Sequence, residues 1–195
     1  MLQLTYMRIG IDISQLAYQQ IGVSNHLRQI VNHMVQMDKE NTYVLFYSSL
    51  RQPLDLPIAS NKNVILKQFR FPPTFLDLLW NRLHIAPIEW FIGDVDVFFT
   101  SDWTEPPALR AKKMTMVYDL IVYTYPEETH NKTDFSLKSL WISPNIVASQ
   151  KRKLEWVKKE SKIIICISES TKKDVHTILG IEENRLRVVY PGVNL

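Results

Sequence analysis

The chain has 195 residues, 46% of them hydrophobic and 11% aromatic, with 23 Lys and Arg against 20 Asp and Glu and a net charge of +3. That length suits one domain or one lobe of a larger enzyme, and the apolar content excludes a chain disordered throughout. The small charge, with no basic run interleaved with exposed aromatics, excludes a nucleic-acid surface, and the single cysteine, Cys166, excludes an internal disulfide and points to a reducing, cytoplasmic setting.

Met1 to Tyr6 lack the cationic and apolar blocks of a signal peptide, and Met7 offers a second start. No apolar run reaches the ~20 residues needed to cross a bilayer. Met7 to Ile13 reads as a strand, followed by a loop and a helix from about Val23 to Met37. That helix is carried by Val23, Leu27, Ile30, Val31 and Met34 at helical spacing. Tyr43 to Tyr47 is a second strand, Arg51 to Asn63 a loop, and Val64 to Phe69 a third strand. Phe71-Pro72-Pro73 ends it, a helix spans about Thr74 to Leu83, and a shorter piece runs through Ile88, Trp90 and Phe91. Asp94 to Phe99 is a fourth strand and Lys113 to Tyr118 a fifth. Pro144 suits the first turn of a long helix ending near Glu160. Lys162 to Ile167 is a sixth strand, with Cys166 read as a buried, inert thiol. Ser168 caps the next helix, Gly180 ends it, and Arg187 to Tyr190 is a seventh strand. Asn131-Lys132-Thr133 fits the glycosylation pattern, but without a secretion signal it is read as coincidence.

Several of these strands are nearly continuous apolar runs, as a sheet covered on both faces requires. Strands separated by helices imply parallel crossovers. The expected fold is a doubly wound, mostly parallel α/β domain of about seven strands, Rossmann-like. In such sheets ligands bind beyond the carboxyl ends of the strands. Asp12, Asp102, Asp119 and Ser168 stand at or just past such ends. Asp119 has two readings there: a site carboxylate, or a loop residue bonding nearby backbone N–H groups.

The motifs that would fix a chemistry outright are missing. The first strand is followed by one glycine, Gly22, not by the glycine-rich dinucleotide cradle. The phosphate loop, the serine-hydrolase elbow and any His/Cys cluster at metal spacing are also missing. His26 and His33 are too far apart on one helix to share a metal and read as surface residues. A lone glycine at a helix start can still let a phosphate approach free N–H groups, although it also suits an ordinary helix start.

Four segments together resemble glycosyltransferase family 4, specifically the N-terminal domain of its GT-B fold. They are Arg8-Ile9-Gly10-Ile11-Asp12 with Gly22-Val23-Ser24-Asn25-His26-Leu27; Val117-Tyr118-Asp119-Leu120-Ile121 with Tyr125-Pro126-Glu127; Cys166-Ile167-Ser168-Glu169-Ser170-Thr171-Lys172-Lys173-Asp174; and Val188-Val189-Tyr190-Pro191-Gly192-Val193-Asn194. Their order and spacing cover nearly the whole chain. The resemblance implies one acceptor-side domain over residues 1–195, with 191–195 opening the linker to a C-terminal donor-binding lobe that these residues do not include. It implies retaining, metal-independent transfer of a hexose, mannose or glucose, from a sugar nucleotide to a glycan or lipid-linked acceptor. No cofactor is implied beyond that donor substrate. By position Gly22 would approach the donor diphosphate, Asp119 and Tyr118 would line the reaction centre, and Asp12, Ser168 and Glu169 would lie on the acceptor side, Ser168 chiefly as a cap.

This sequence departs from the family where many members carry His before the Asp: here it is Tyr118. A tyrosine is neutral near pH 7 and cannot act as an imidazolium. That departure keeps open an alternative, a non-catalytic binding or scaffold domain of the same fold. Gln20 likewise stands where relatives have glycine. The stretch Lys151 to Lys162 carries six basic and two acidic residues around Trp156. It reads as a solvated helix face, with peripheral contact to an anionic membrane as the alternative. Phe75, Leu79, Trp80, Trp90 and Phe91 are a second apolar group, read as core or acceptor-side packing.

Overall fold

All seven expected strands form, and they lie in one sheet in the order β3-β2-β1-β4-β5-β6-β7 with every pairing parallel. The strands are β1 Arg8–Asp12, β2 Thr42–Ser48, β3 Val64–Phe69, β4 Val97–Thr100, β5 Lys112–Val117, β6 Ile163–Cys166 and β7 Leu186–Val188. This computed structural model describes residues 6–18, 22–100, 103–125 and 146–192. Pro126, Glu127, the Asn131-Lys132-Thr133 triplet, Pro144, Gln20, Asp102 and residues 193–195 lie outside the described residues.

Between the strands run α1 Gly22–Met37, α2 Pro73–Leu76 continuing as a π-helical segment Asp77–Arg82, α3 Glu89–Ile92, α4 Ile121–Thr124, α5 Ile146–Glu160 and α6 Glu169–Leu179. Parallel pairing explains the unbroken apolar runs. Along β2, Tyr43, Leu45 and Tyr47 pack in one core layer with Leu27, Val31 and Val35 of α1. The alternate residues Val44 and Phe46 pack in another with Leu76, Trp80, Ile88 and Ile92. A third cluster joins Leu154 and Val157 of α5 and Val175 and Leu179 of α6 to Val117, Ile164, Cys166 and Leu186. A strand buried on both faces cannot alternate polar with apolar.

Four expectations are corrected. The helix drawn over 74–83 is α-helical only to Leu76; beyond it Leu83 N–H bonds to the Leu78 carbonyl at 3.0 Å, the wider π spacing. The fourth strand begins at Val97, because Asp94 and Asp96 hold Arg8: its backbone N–H donates to Asp96 Oδ2 at 2.7 Å and its Nε to the Asp94 carbonyl at 2.8 Å. The basic face of α5 is not simply solvated. Lys153 is buried, Lys151 lies 4.9 Å over the Tyr123 ring and Lys159 lies 4.5 Å over Trp156, which stacks on His84 at 3.5 Å. The second apolar group divides: Trp80 is fully buried and Leu79 and Phe91 pack against the core, while Phe75 and Trp90 are exposed.

Candidate functional site

The strand order reverses between β1 and β4, which are neighbours although β2 and β3 intervene in sequence. Loops leaving the carboxyl ends of those two strands diverge and open a crevice, the place where open parallel sheets bind ligands. A cavity of about 200 Å³ lies at this edge, lined by Val23, Trp103, Tyr118, Asp119, Gln150 and Lys153 among others. A smaller cavity beside it is lined by Asp12, Gln15, Tyr18, Ser48 and Trp103. A hollow at the amino ends, lined by Arg8, Asp96 and Lys112, lies at the edge where the sheet rule places no site.

Asp119 leaves β5 into the larger cavity with its side chain exposed, and its Oδ1 accepts the Ile121 N–H at 3.1 Å. The turn reading is thus observed, and the residue that makes the turn also lines the cavity. The turn bond starts α4 and fixes the carboxylate, while a second oxygen remains to accept from a ligand. Tyr118 is half-buried, and its carbonyl accepts the Thr171 hydroxyl at 3.0 Å, so α6 pins the backbone just before the acid. His26 of α1 meets the Tyr118 ring edge-on, with centroids 5.7 Å apart. Burial lowers the pKa of His26, and its Nδ1 is buried without a hydrogen bond. It is thus not the surface residue expected: an imidazole does stand beside position 118, but it comes from another element.

Gly22 is the first residue of α1 and is exposed, and its neighbour Val23 lines the same cavity as Asp119. Gly22 therefore stands one residue from the wall to which Asp119 belongs. The start of a helix carries the positive end of its dipole and N–H groups without intrahelical partners. Asp12 is buried and lines the smaller cavity, where its Oδ1 accepts the Ser14 N–H at 2.9 Å. Burial raises its pKa, with the Ser14 hydrogen bonds opposing.

Ser168 and Glu169 are not brought to either cavity wall. The Ser168 hydroxyl accepts the Thr171 N–H at 3.0 Å as the cap of α6, and Glu169 is the exposed first residue of that helix. Ser168 thus reaches the site only through Thr171 and the Tyr118 carbonyl. Among the described residues no three His, Cys, Asp or Glu side chains gather to hold a metal.

Trp103, Gln150 and Lys153 were not expected in the site. Nothing in sequence marks a lysine in a basic helix as the buried one, or a tryptophan in a loop as a cavity wall. A buried polar network beneath Trp103 fixes its loop. Asn81, on the π-helical segment, donates from Nδ2 to the Trp103 carbonyl at 3.0 Å and accepts the Glu105 N–H on Oδ1 at 3.0 Å. Glu105 is fully buried, paired with Lys113 at 2.8 Å and bonded by the Thr100 hydroxyl at 2.6 Å. Lys113 also pairs with Glu160 at 2.8 Å, and Glu160 accepts from His84 at 2.7 Å. Asp77 accepts from Asn81, Arg82 and the Ser149 hydroxyl of α5.

Residues 21–195 match the sequence profile described as Glycosyltransferase Family 4. Among solved structures, Anabaena Alr3699/HepE in complex with UDP is similar, with a TM-score of 0.53 and 10% identity over 96% of this chain. This chain spans 44% of HepE's length. A short-chain dehydrogenase/reductase from Veillonella parvula DSM 2008 in complex with NADP also matches, with a TM-score of 0.45 and 9% identity, covering 83% of this chain and 69% of that one. No match is found among curated proteins.

Proposed function

Because this chain belongs to glycosyltransferase family 4, we propose that it is the acceptor-side lobe of a retaining glycosyltransferase moving a hexose, mannose or glucose, from a sugar nucleotide to a glycan or lipid-linked acceptor. The observation that carries this reading is the shared rim: the start of α1 and the Tyr118-Asp119 turn border one cavity at the carboxyl edge of the sheet. The UDP bound by HepE, a protein of similar fold, supports a nucleoside diphosphate as the donor's leaving group.

In this reading the donor is held mainly by a second lobe facing that edge. The leaving diphosphate meets the free N–H groups of α1 at Gly22, where no side chain stands in the way. Stabilising the charge that develops on the diphosphate is the main catalytic contribution, and it needs no metal. The free oxygen of Asp119 accepts a hydroxyl proton from the reacting sugar or acceptor. The Tyr118 hydroxyl carries no charge and is buried, so the residue borders the cavity without supplying charge to it. Asp12 contributes from the smaller cavity on the acceptor side.

The second reading, a non-catalytic binding lobe, is favoured by Tyr118 standing where many family members carry histidine. A transfer assay with UDP- and GDP-hexoses separates the two. The chain joined to a donor-side lobe is expected to transfer hexose, and the 195-residue chain alone to transfer none. Turnover by the isolated chain would overturn the lobe assignment. No turnover by the two-lobe form would favour the scaffold.

A further inference from the structure

Trp103 is a wall common to the cavity bearing Asp119, the cavity bearing Asp12 and a third bordered by Ser149 and Gln150. Its ring stacks on Tyr18, with centroids 5.8 Å apart and planes 26° from parallel. Trp103 and Tyr18 stay 38% and 40% exposed, so a large aromatic surface remains open at the crevice. Its backbone is fixed from below by Asn81, itself only 1% exposed, which grips the chain on both sides of Thr104. An aromatic ring held by a buried polar clamp is pre-organised for a ligand. The polar groups sharing its larger cavity are Asp119, Gln150 and Lys153.

Resting on the lobe assignment above, we infer that the Trp103–Tyr18 pair is the platform on which a pyranose ring of the acceptor stacks, so that the acceptor presents a sugar, not a bare lipid phosphate, at this edge. A pyranose offers C–H groups on its face and hydroxyls around its rim. The C–H face packs on an aromatic ring, while the hydroxyls need acceptors and donors at the side. The cavity wall supplies both, with the Asp119 carboxylate and the Gln150 amide among the residues that line it with Trp103. Its 200 Å³ is below the ~300–1,000 Å³ that encloses a drug-sized ligand, so it takes a ring and leaves the rest of the acceptor outside.

The test titrates this chain with maltotriose, cellotriose and mannotriose, reading heat and tryptophan emission. Wild type is expected to bind at least one of them with a change in emission. Trp103→Ala weakens that binding about tenfold. Trp103→Phe keeps most of the affinity but loses the emission change, and Trp90→Phe, at an exposed residue outside these cavities, alters neither. An emission change that persists in Trp103→Phe, or equal affinity in Trp103→Ala, would overturn the platform. Competition by UDP for the same ring would assign it to a nucleobase and also overturn it. If no trisaccharide binds while the two-lobe enzyme transfers hexose to a prenyl phosphate, the platform fails and the glycosyltransferase reading stands. Trp103-dependent binding without any transfer gives the reverse.

Discussion

Gly22 separates a demand made by the fold from one made by a ligand. A methyl group added there would meet nothing within 4 Å among the described residues, and its φ lies outside the left-handed region. Among the described residues, then, nothing in the packing calls for glycine at 22. Gly22→Ala is expected to leave the thermal midpoint unchanged or raise it slightly, since alanine restricts the unfolded chain. It is also expected to lower hexose transfer by the two-lobe enzyme by crowding the diphosphate. A stable variant with full activity would remove Gly22 from the donor site. Ser168 makes the opposite case. As the cap of α6 its hydroxyl is spent on the Thr171 N–H, so Ser168→Ala should cost about 1 kcal/mol in urea unfolding and leave acceptor affinity intact. A loss of affinity at unchanged stability would restore it to the acceptor site. Cys166 is settled chiefly by burial, which outweighs the nearby Lys172 charge and pushes the thiol up to about 11, leaving little thiolate to react at pH 7.

Within β1, Gly10 is packed too closely to take a side chain. A Cβ at Gly10 would lie 2.7 Å from the Phe98 ring and 2.9 Å from Ile92 Cδ1. Both neighbours are buried in the layer under α2 and α3, so the ring has little room to give. Gly10→Ala should destabilise by ~1–3 kcal/mol of overpacking, measured by denaturant unfolding. An unchanged midpoint would mean that this layer repacks freely. The joint between β5, the π-helical segment and α5 is polar instead. Burial works to raise the Glu160 carboxyl, but hydrogen bonds and charge from His84 and Lys113 outweigh it and hold the group down to about 2. A carboxylate depressed in the folded state stabilises fully above its ordinary range and loses that contribution as pH falls through its folded value. Stability should therefore drop between about pH 4.5 and 2, and Glu160→Gln should show a smaller drop across that window. Equal drops in the two proteins would show that the pair contributes nothing.

Across the whole molecule, one all-parallel sheet gathers its loops at one edge. Residues as distant in sequence as Asp12, Val23, Trp103 and Asp119 border neighbouring cavities because each follows the carboxyl end of a strand or starts a helix there. If this chain supplies one wall of a two-lobed cleft, as proposed, the isolated chain should bind an acceptor without turning over a sugar nucleotide. Calorimetry beside a transfer assay on the same preparation checks both halves of that expectation. Among the described residues no helix is long and apolar enough to cross a membrane.

The sequence by itself determined the seven strands, the α1 and α6 helices, the cap at Ser168 and the family, because each is written in local periodicity or in short ordered motifs. It also placed Asp119 at a strand end, since a strand's last apolar residue is visible in sequence. Only the tertiary structure decided which of six basic residues in one segment is buried, that the 77–82 turn widens into a π-helix, and that Trp103 and His26 reach the crevice. Those outcomes depend on partners about 20 to 90 residues away: Asn81 holding the Trp103 loop, Tyr118 meeting His26, and Asp77 bonded to Ser149. Hydrogen bonds and burial between distant segments leave no periodic trace along the chain, so they become readable only once the strands are side by side.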